Sequence, residues 1–251
     1  MNYHLKLMFD GSGYHGWQRQ ENAISVQQKM EKAVFRLFGE KCSVTGCSRT
    51  DAGVHAQDFH VNFKAEKLLP DETVVSGMNF YLPDDISVVS CVRAEDSFNA
   101  RFSCVSKEYH YVIYDTPFCN PFYAKKALHC KHRLDETVMD RNAKDYIGTF
   151  DFSAFCAAGA SVRSNVRTVK RAGVFRDTDK VIFYVEADGF LYNMVRIMAG
   201  TLLYIAENKI ETGSIPEIIA AKDRTRAGKT VPPDGLYLYK VHYGEEIQYG
   251  E

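Results

Sequence analysis

The run Arg49-Thr50-Asp51-Ala52-Gly53-Val54-His55-Ala56 sets a carboxylate two residues from a guanidinium, in a stretch between two short alternating segments. An ionised aspartate on such a loop can act as a general base or a nucleophile, and the arginine beside it can hold an anionic or planar group. The same residues also make an ordinary turn, with Asp51 bonded to a nearby backbone N–H and Gly53 at positive φ. Both readings fit this segment taken alone.

Two further clusters carry chemistry-bearing side chains. In Lys107-Glu108-Tyr109-His110-Tyr111, which follows Asn99-Ala100-Arg101-Phe102-Ser103, the period of 2 places Lys107, Tyr109 and Tyr111 on one strand face. Such a face can stack and hold a nucleobase, or it can be sheet core. In Gly189-Phe190-Leu191-Tyr192-Asn193-Met194-Val195-Arg196-Ile197-Met198, Arg196 is a lone cation among apolar residues. Its head must reach water along its own stem or meet a carboxylate. No Asp or Glu lies between Gly189 and Ala206, so that carboxylate would come from elsewhere in the chain, and Asp51 is the candidate. Basic residues gather in three runs that are either solvated faces or an RNA footprint: Lys125, Lys126, Lys131 and Arg133; Arg163, Arg167, Lys170 and Arg171; Lys222, Arg224, Arg226 and Lys229.

The elements that must position these residues follow from periodicity and punctuation. Tyr3 to Phe9 alternates as a strand and ends at Asp10-Gly11-Ser12-Gly13. Ser25 caps a helix whose Val26, Met30, Val34, Leu37 and Phe38 share a face until Gly39. Strands are expected over Cys42–Cys47, Phe59–Phe63 and Ile86–Val92, with a helix from Asp71 closed by Pro83. The order is β-α-β-β-α-β, that of a ferredoxin-like unit. A strand from Ser106 to Asp115 opens a second series. It continues with a helix from Asp135 to Gly148, strands Val166–Phe175 and Lys180–Ala187, a helix Leu191–Asn208 broken at Ala199-Gly200, a short helix Pro216–Lys222, and a strand Gly235–Tyr243. The expected fold is α+β: two ferredoxin-like halves, residues 1–105 and 106–251, whose sheets join into one broad antiparallel sheet with helices packed on it.

Composition narrows the function classes. The 251 residues are 45% hydrophobic and 25% charged, with 31 basic and 32 acidic side chains, a net charge of −1. That suits a globular protein and excludes one that coats nucleic acid by bulk positive charge, so any RNA must be met by a local patch. No stretch reaches the ~18 apolar residues of a membrane span, and the first residues lack a secretion signal, which points to a cytoplasmic protein that meets no membrane. Seven cysteines at irregular spacing read as free thiols in a reducing compartment. His129-Cys130-Lys131-His132 with Cys119 lacks the regular ligand spacing of a zinc site, and no metal is expected.

Taken together, the motifs resemble the tRNA pseudouridine synthase A (TruA) family in order along nearly the whole chain. The resemblance runs from Asp10-Gly11-Ser12-Gly13-Tyr14-His15-Gly16-Trp17-Gln18-Arg19-Gln20 and Arg49 to Ala56 through Leu82-Pro83-Asp84-Asp85-Ile86 and Phe98 to Ser103. It continues in Lys107 to Tyr111, Val166-Arg167-Thr168, Phe190 to Arg196 and Pro232-Pro233-Asp234-Gly235-Leu236. It implies a catalytic Asp51, Tyr109 packed against the target base and Arg196 paired with Asp51. It further implies that Arg49 holds the flipped nucleotide and Leu236 lines the pocket. It implies as well that uridine becomes pseudouridine at positions 38, 39 and 40 of the tRNA anticodon arm, by a homodimer, with no cofactor. Val231, where Ala is usual, and the strand Gln57-Asp58-Phe59-His60-Val61-Asn62-Phe63 depart from the pattern. The same chemistry on another RNA such as rRNA, or a non-catalytic RNA-binding protein, are the alternatives.

Overall fold

The computed structural model describes residues 1–159 and 163–244. Within these the chain is mixed α+β, with ten strands, nearly all paired antiparallel, and five α-helices. Its residues group into two compact units, Met1–Val105 with the chain from Leu238 onward, and Ser106–Tyr237. The last strand thus changes unit partway along its length.

The first unit holds β1 (Asn2–Phe9), α1 (Val26–Phe38), β2 (Thr45–Gly46), β3 (His55–Lys64), α2 (Asp71–Tyr81) and β4 (Ile86–Ala94), the βαββαβ order. Strand β1 lies between β4 and β3, antiparallel to both. Alternation decides which side faces the helices: Tyr3, Leu5 and Leu7 are fully buried, and the rings of Tyr3 and Phe63 close on Phe38 of α1 at 5.1 and 5.3 Å. Helix α1 starts where the Ser25 hydroxyl accepts from the Gln28 N–H, and it stops at Gly39 in the left-handed region.

The opposite face of β1 and β3 is polar yet buried. Asn62 Nδ2 donates to Asn2 Oδ1 (2.9 Å), and Asn62 Oδ1 accepts from the Ala100 N–H (2.9 Å). His4 Nε2 meets His60 Nδ1 at 2.9 Å, His60 Nε2 meets Asp58 Oδ1 at 3.0 Å, and Asp58 also takes Lys6 (3.0 Å) and the Val241 N–H (2.8 Å). Buried polar atoms survive because they are paired in this way. This explains why β3 reads atypically: it begins at His55, earlier than the expected Phe59, and both of its faces are covered, so alternation does not mark it.

The second unit contains β5 (Cys104–Tyr114, from Ser106), β6 (Leu128–His129), α3 (Glu136–Ala143), β7 (Gly148–Asp151), β8 (Val166–Asp177), β9 (Lys180–Ala187), α4 (Met194–Ala206) and α5 (Ile215–Ala221). The start of β10 (Leu236–Tyr243) also belongs to it. Its strand order is β5-β9-β8-β7, with β6 parallel to β5. Strands β6 and β7 are too short for a periodic signal. The expected break at Ala199-Gly200 is absent: α4 runs through it, and the small residue serves another purpose. A Cβ at Gly200 would overlap the Lys229 carbonyl oxygen, so glycine lets the returning chain lie directly on the helix.

Burial, then the facing His60, push the His4 imidazole down to about 3, so it is neutral in the fold. Burial alone would raise the Asp58 carboxyl, but His60, the Val241 amide and Lys6 outweigh it and hold it low. Both depressed values act in one direction: as pH falls, the unfolded chain takes up protons that the fold excludes, first on His4 below about 6.5 and then on Asp58. Stability should therefore fall from pH 7 to 5 by about 2 kcal/mol on account of His4. His4→Gln should remove that part of the slope, as read from urea unfolding midpoints at each pH.

Candidate active site

Asp51 sits in the loop between β2 and β3, and residues 10–17 strap that loop down. The Trp17 N–H donates to the Thr50 carbonyl (3.2 Å), the Gly53 N–H to the Tyr14 carbonyl (3.1 Å), and the Val54 N–H closes back on the Asp51 carbonyl (3.2 Å). The strap lies so close that side chains are excluded from it. A Cβ at Gly16, where φ is +79°, would overlap the Thr50 oxygen and stand 3.0 Å from the Asp51 carbonyl carbon; one at Gly11 would overlap the Val54 oxygen. His55, nearly fully buried, accepts from the Gly11 N–H at 3.1 Å.

The strap is itself anchored. Tyr14 donates its hydroxyl to Asp85 (2.6 Å), the Asp10 N–H bonds the Asp85 carbonyl (2.9 Å), and the Trp17 ring tilts over Phe59 of β3 at 4.4 Å. Burial and the Asp85 contact push the Tyr14 phenol up, so it stays a donor. The motifs around residues 10–20, 49–56 and 82–86 therefore form one assembly, with Asp51 half-buried at its centre and Arg49 exposed beside it.

A second cation joins Arg49. Partial burial, and after it the like charge of Arg49, push the Arg101 guanidinium down, which places the two arginines in one electrostatic neighbourhood. Asn99 shapes this loop by accepting from the N–H groups of Arg101 and Phe102 (3.0 and 3.2 Å). Ala100 is fixed by Asn62, while Phe102 stands 79% exposed with the Arg101 head 5.7 Å from its ring. The sequence marks Asn99 to Ser103 as part of a chemistry-bearing cluster but assigns no role to Arg101 or Phe102. The signal was present in Asn99 to Ser103, where a capped turn displays a cation and an aromatic with no apolar face to serve.

In the second unit, Tyr109 lies on β5 opposite Val185 of β9, 6% exposed, and its ring meets Phe190 edge-on at 5.0 Å. Tyr111, on the same face, is fully buried and donates to the Pro232 carbonyl (2.8 Å), so it belongs to the core. Arg196 lies in the first turn of α4, half-buried. Its Nε donates to the Val231 carbonyl (2.7 Å) and its Nη1 to Asn193 Oδ1 (2.6 Å), where Asn193 caps the helix at φ 60°. The head is thus met by a carbonyl and an amide that fix its direction, a role the apolar context of the sequence did not reveal. Leu236, 6% exposed, opens β10 directly after the turn Pro233–Gly235. Val231 fills the space over Gly200, and its N–H bonds the Arg196 carbonyl (3.4 Å), so this departure from the pattern is accommodated by packing.

Two of the side chains considered for a metal are engaged otherwise. His129 Nε2 bonds the Thr116 carbonyl (2.8 Å) and its ring stacks on Tyr114 at 4.6 Å, while Cys119 meets the Tyr114 hydroxyl (3.2 Å). All seven cysteines are free thiols. Among the described residues no helix is long and apolar enough to cross a membrane.

A family model described as tRNA pseudouridine synthase matches residues 142–244. The tRNA pseudouridine synthase A of a Thermoanaerobacter strain is 43% identical over 242 residues, which cover 96% of this chain and 99% of that protein. The proteins of the same name from Acetivibrio thermocellus and Clostridium acetobutylicum are 41% and 42% identical, with the same shares of each chain covered. With identity of this order along nearly its whole length, the chain belongs to the tRNA pseudouridine synthase A family, isomerases that act on tRNA.

Proposed function

We propose that this chain converts uridine to pseudouridine at positions 38, 39 and 40 of the tRNA anticodon arm, with Asp51 as the catalytic carboxylate. The observation that supports this most is the Asp51 loop, whose backbone is tied on both sides to residues 10–17 in a relative of tRNA pseudouridine synthases. A catalytic group held by its own main chain keeps its position without help from substrate.

The reaction breaks the C1′–N1 bond, turns the uracil and joins C1′ to C5. The proton on C5 is lost and N1 gains one, so atoms and electrons balance without an external reagent. An ionised Asp51 serves each first step open to it: attack on C1′, attack on C6, or removal of the C2′ proton. Arg196 pairs with Asp51 and keeps it ionised, since an opposite charge at hydrogen-bonding distance lowers a carboxylate pKa. The carbonyl of Val231 and the amide of Asn193 aim that guanidinium.

The target base leaves its stack at a cost of a few kcal/mol. Tyr109 offers it a ring face, Leu236 an apolar wall, and Arg49 a planar cation for the space left behind. The working unit is a cytoplasmic homodimer whose two subunits share one tRNA.

Asp51→Asn should keep tRNA binding and lower turnover by at least about 10³-fold, measured as tritium released from 5-labelled uridine in tRNA. Residual turnover near wild type would remove Asp51 from the chemistry. Arg196→Met should move the acid limb of kcat/KM to higher pH by about 1–3 units, because the carboxyl then holds its proton longer, whereas Arg196→Lys should move it less. An unshifted limb would mean that Arg196 does not set the charge of Asp51.

A further inference from the structure

Several of the basic residues that stand out in the sequence are occupied within their own unit. Lys222 is 2.9 Å from Asp151, Arg226 3.7 Å from Glu217, and Arg133 3.7 Å from Asp115. Arg171 lies about as far from Glu186 (3.9 Å) and Glu108 (4.0 Å), and Arg224 is bonded to Thr230 (3.1 Å).

Helix α1 is different. Along its outer face runs a groove of about 450 Å³ whose walls include Arg19, Glu31, Lys32, Phe35, Arg36 and Lys41. Its single carboxylate, Glu31, is taken by Arg19 at 2.8 Å. Lys32, Arg36 and Lys41 have no carboxylate within salt-bridge distance among the described residues. Glu40, next to Lys41, is turned to the backbone instead and accepts the Glu66 and Lys67 N–H groups, each at 2.9 Å. Lys32 and Arg36 stand four residues apart on one helix face, the spacing at which like charges repel. Nothing in the fold requires that repulsion. Arg36 is steadied by the Tyr81 ring (5.9 Å to its centroid), and Phe35, 48% exposed, gives the groove an apolar wall.

We propose that this groove binds the phosphate backbone of the tRNA substrate, at a stretch away from the isomerised uridine. Three unneutralised cations lining one groove beside an exposed ring fit a polyanion with stacked bases better than they fit a small anion. The helix that carries the groove is also tied to the strap of the candidate site. The Gln27 N–H, at the start of α1, bonds the Trp17 carbonyl, and Trp17 holds Thr50. Arg36 lies nine residues further along the helix, roughly 13 Å away at 1.5 Å per residue. RNA whose target nucleotide sits at Asp51 would thus have further phosphates within reach of this groove. The choice of tRNA rests on the function proposed above.

The test uses the full chain with Lys32→Gln, Arg36→Gln and Lys41→Gln combined, together with each single variant. None of the three residues touches the Asp51 loop. Binding to a tRNA transcript is followed by fluorescence anisotropy across salt concentrations, and turnover by tritium release. The triple variant should bind about 10-fold or more weakly at physiological salt, and its salt slope should be shallower by about 2, since each phosphate contact adds about 0.7–0.9. Its KM should rise while kcat stays unchanged, and each single variant should show a fraction of the loss. An unchanged salt slope overturns the proposal and leaves the groove to an acidic partner of another kind. Loss of kcat without loss of binding also overturns it. If the wild-type chain bound tRNA without modifying it, the proposed reaction would fail, while the binding slopes would still decide the groove.

Discussion

The candidate site depends on the contact of one backbone with another. Residues 10–17 lie on the Asp51 loop at a distance no side chain could occupy, and the glycines at positions 11 and 16 make that approach possible. Once it is made, two main-chain hydrogen bonds join the segments, and Tyr14, Trp17 and Asp85 connect the assembly to the sheet and the α2–β4 turn. A carboxylate on a free loop would sample many directions, and ordering it at the moment of reaction would cost entropy. Here that ordering is complete before any substrate arrives.

The second unit fixes its own chemistry-bearing residues in a related manner. Gly200 admits the Lys229–Val231 segment onto α4. That segment supplies the carbonyl that aims Arg196, and Pro232, one residue later, takes the hydroxyl of Tyr111. Arg196 and the turn leading to Leu236 are thus parts of one packed structure, tied through the residue that follows Tyr109 by two on β5. In each unit a small residue decides where the functional one points.

Much of this was legible in the residues. The period of 2 in Tyr3 to Phe9, the Ser25 cap and the two βαββαβ series predict the α+β architecture, and the chain forms it. The glycines at 11 and 16 are visible as residues, but their purpose lies in contacts with positions 34 to 43 residues away, which no local pattern encodes. Strand β3 starts earlier than its alternation predicts because its polar residues are buried and paired, so the rule that polar positions face water fails there. Gly200 suggested a helix break because propensity speaks of the helix alone and not of the chain packed on it. The net charge of −1 indicates that RNA would meet a local patch rather than the whole surface, yet several cations of the densest basic runs are paired at home. The unpaired cations of the groove are two residues four apart on α1, Lys32 and Arg36, with Lys41 just beyond the helix, where a count along the sequence does not show them as a cluster.

The central claim is that the strap, and not the aspartate alone, makes the site. It is tested most directly by the single-turnover rate of tritium release from 5-labelled uridine in tRNA by Gly16→Ala, in protein whose thermal unfolding remains cooperative. A methyl group there must displace the Thr50–Asp51 backbone, and a shift on the order of 1 Å should slow the reaction by about 100-fold with little change in tRNA affinity. A rate equal to that of the unaltered chain would contradict the account.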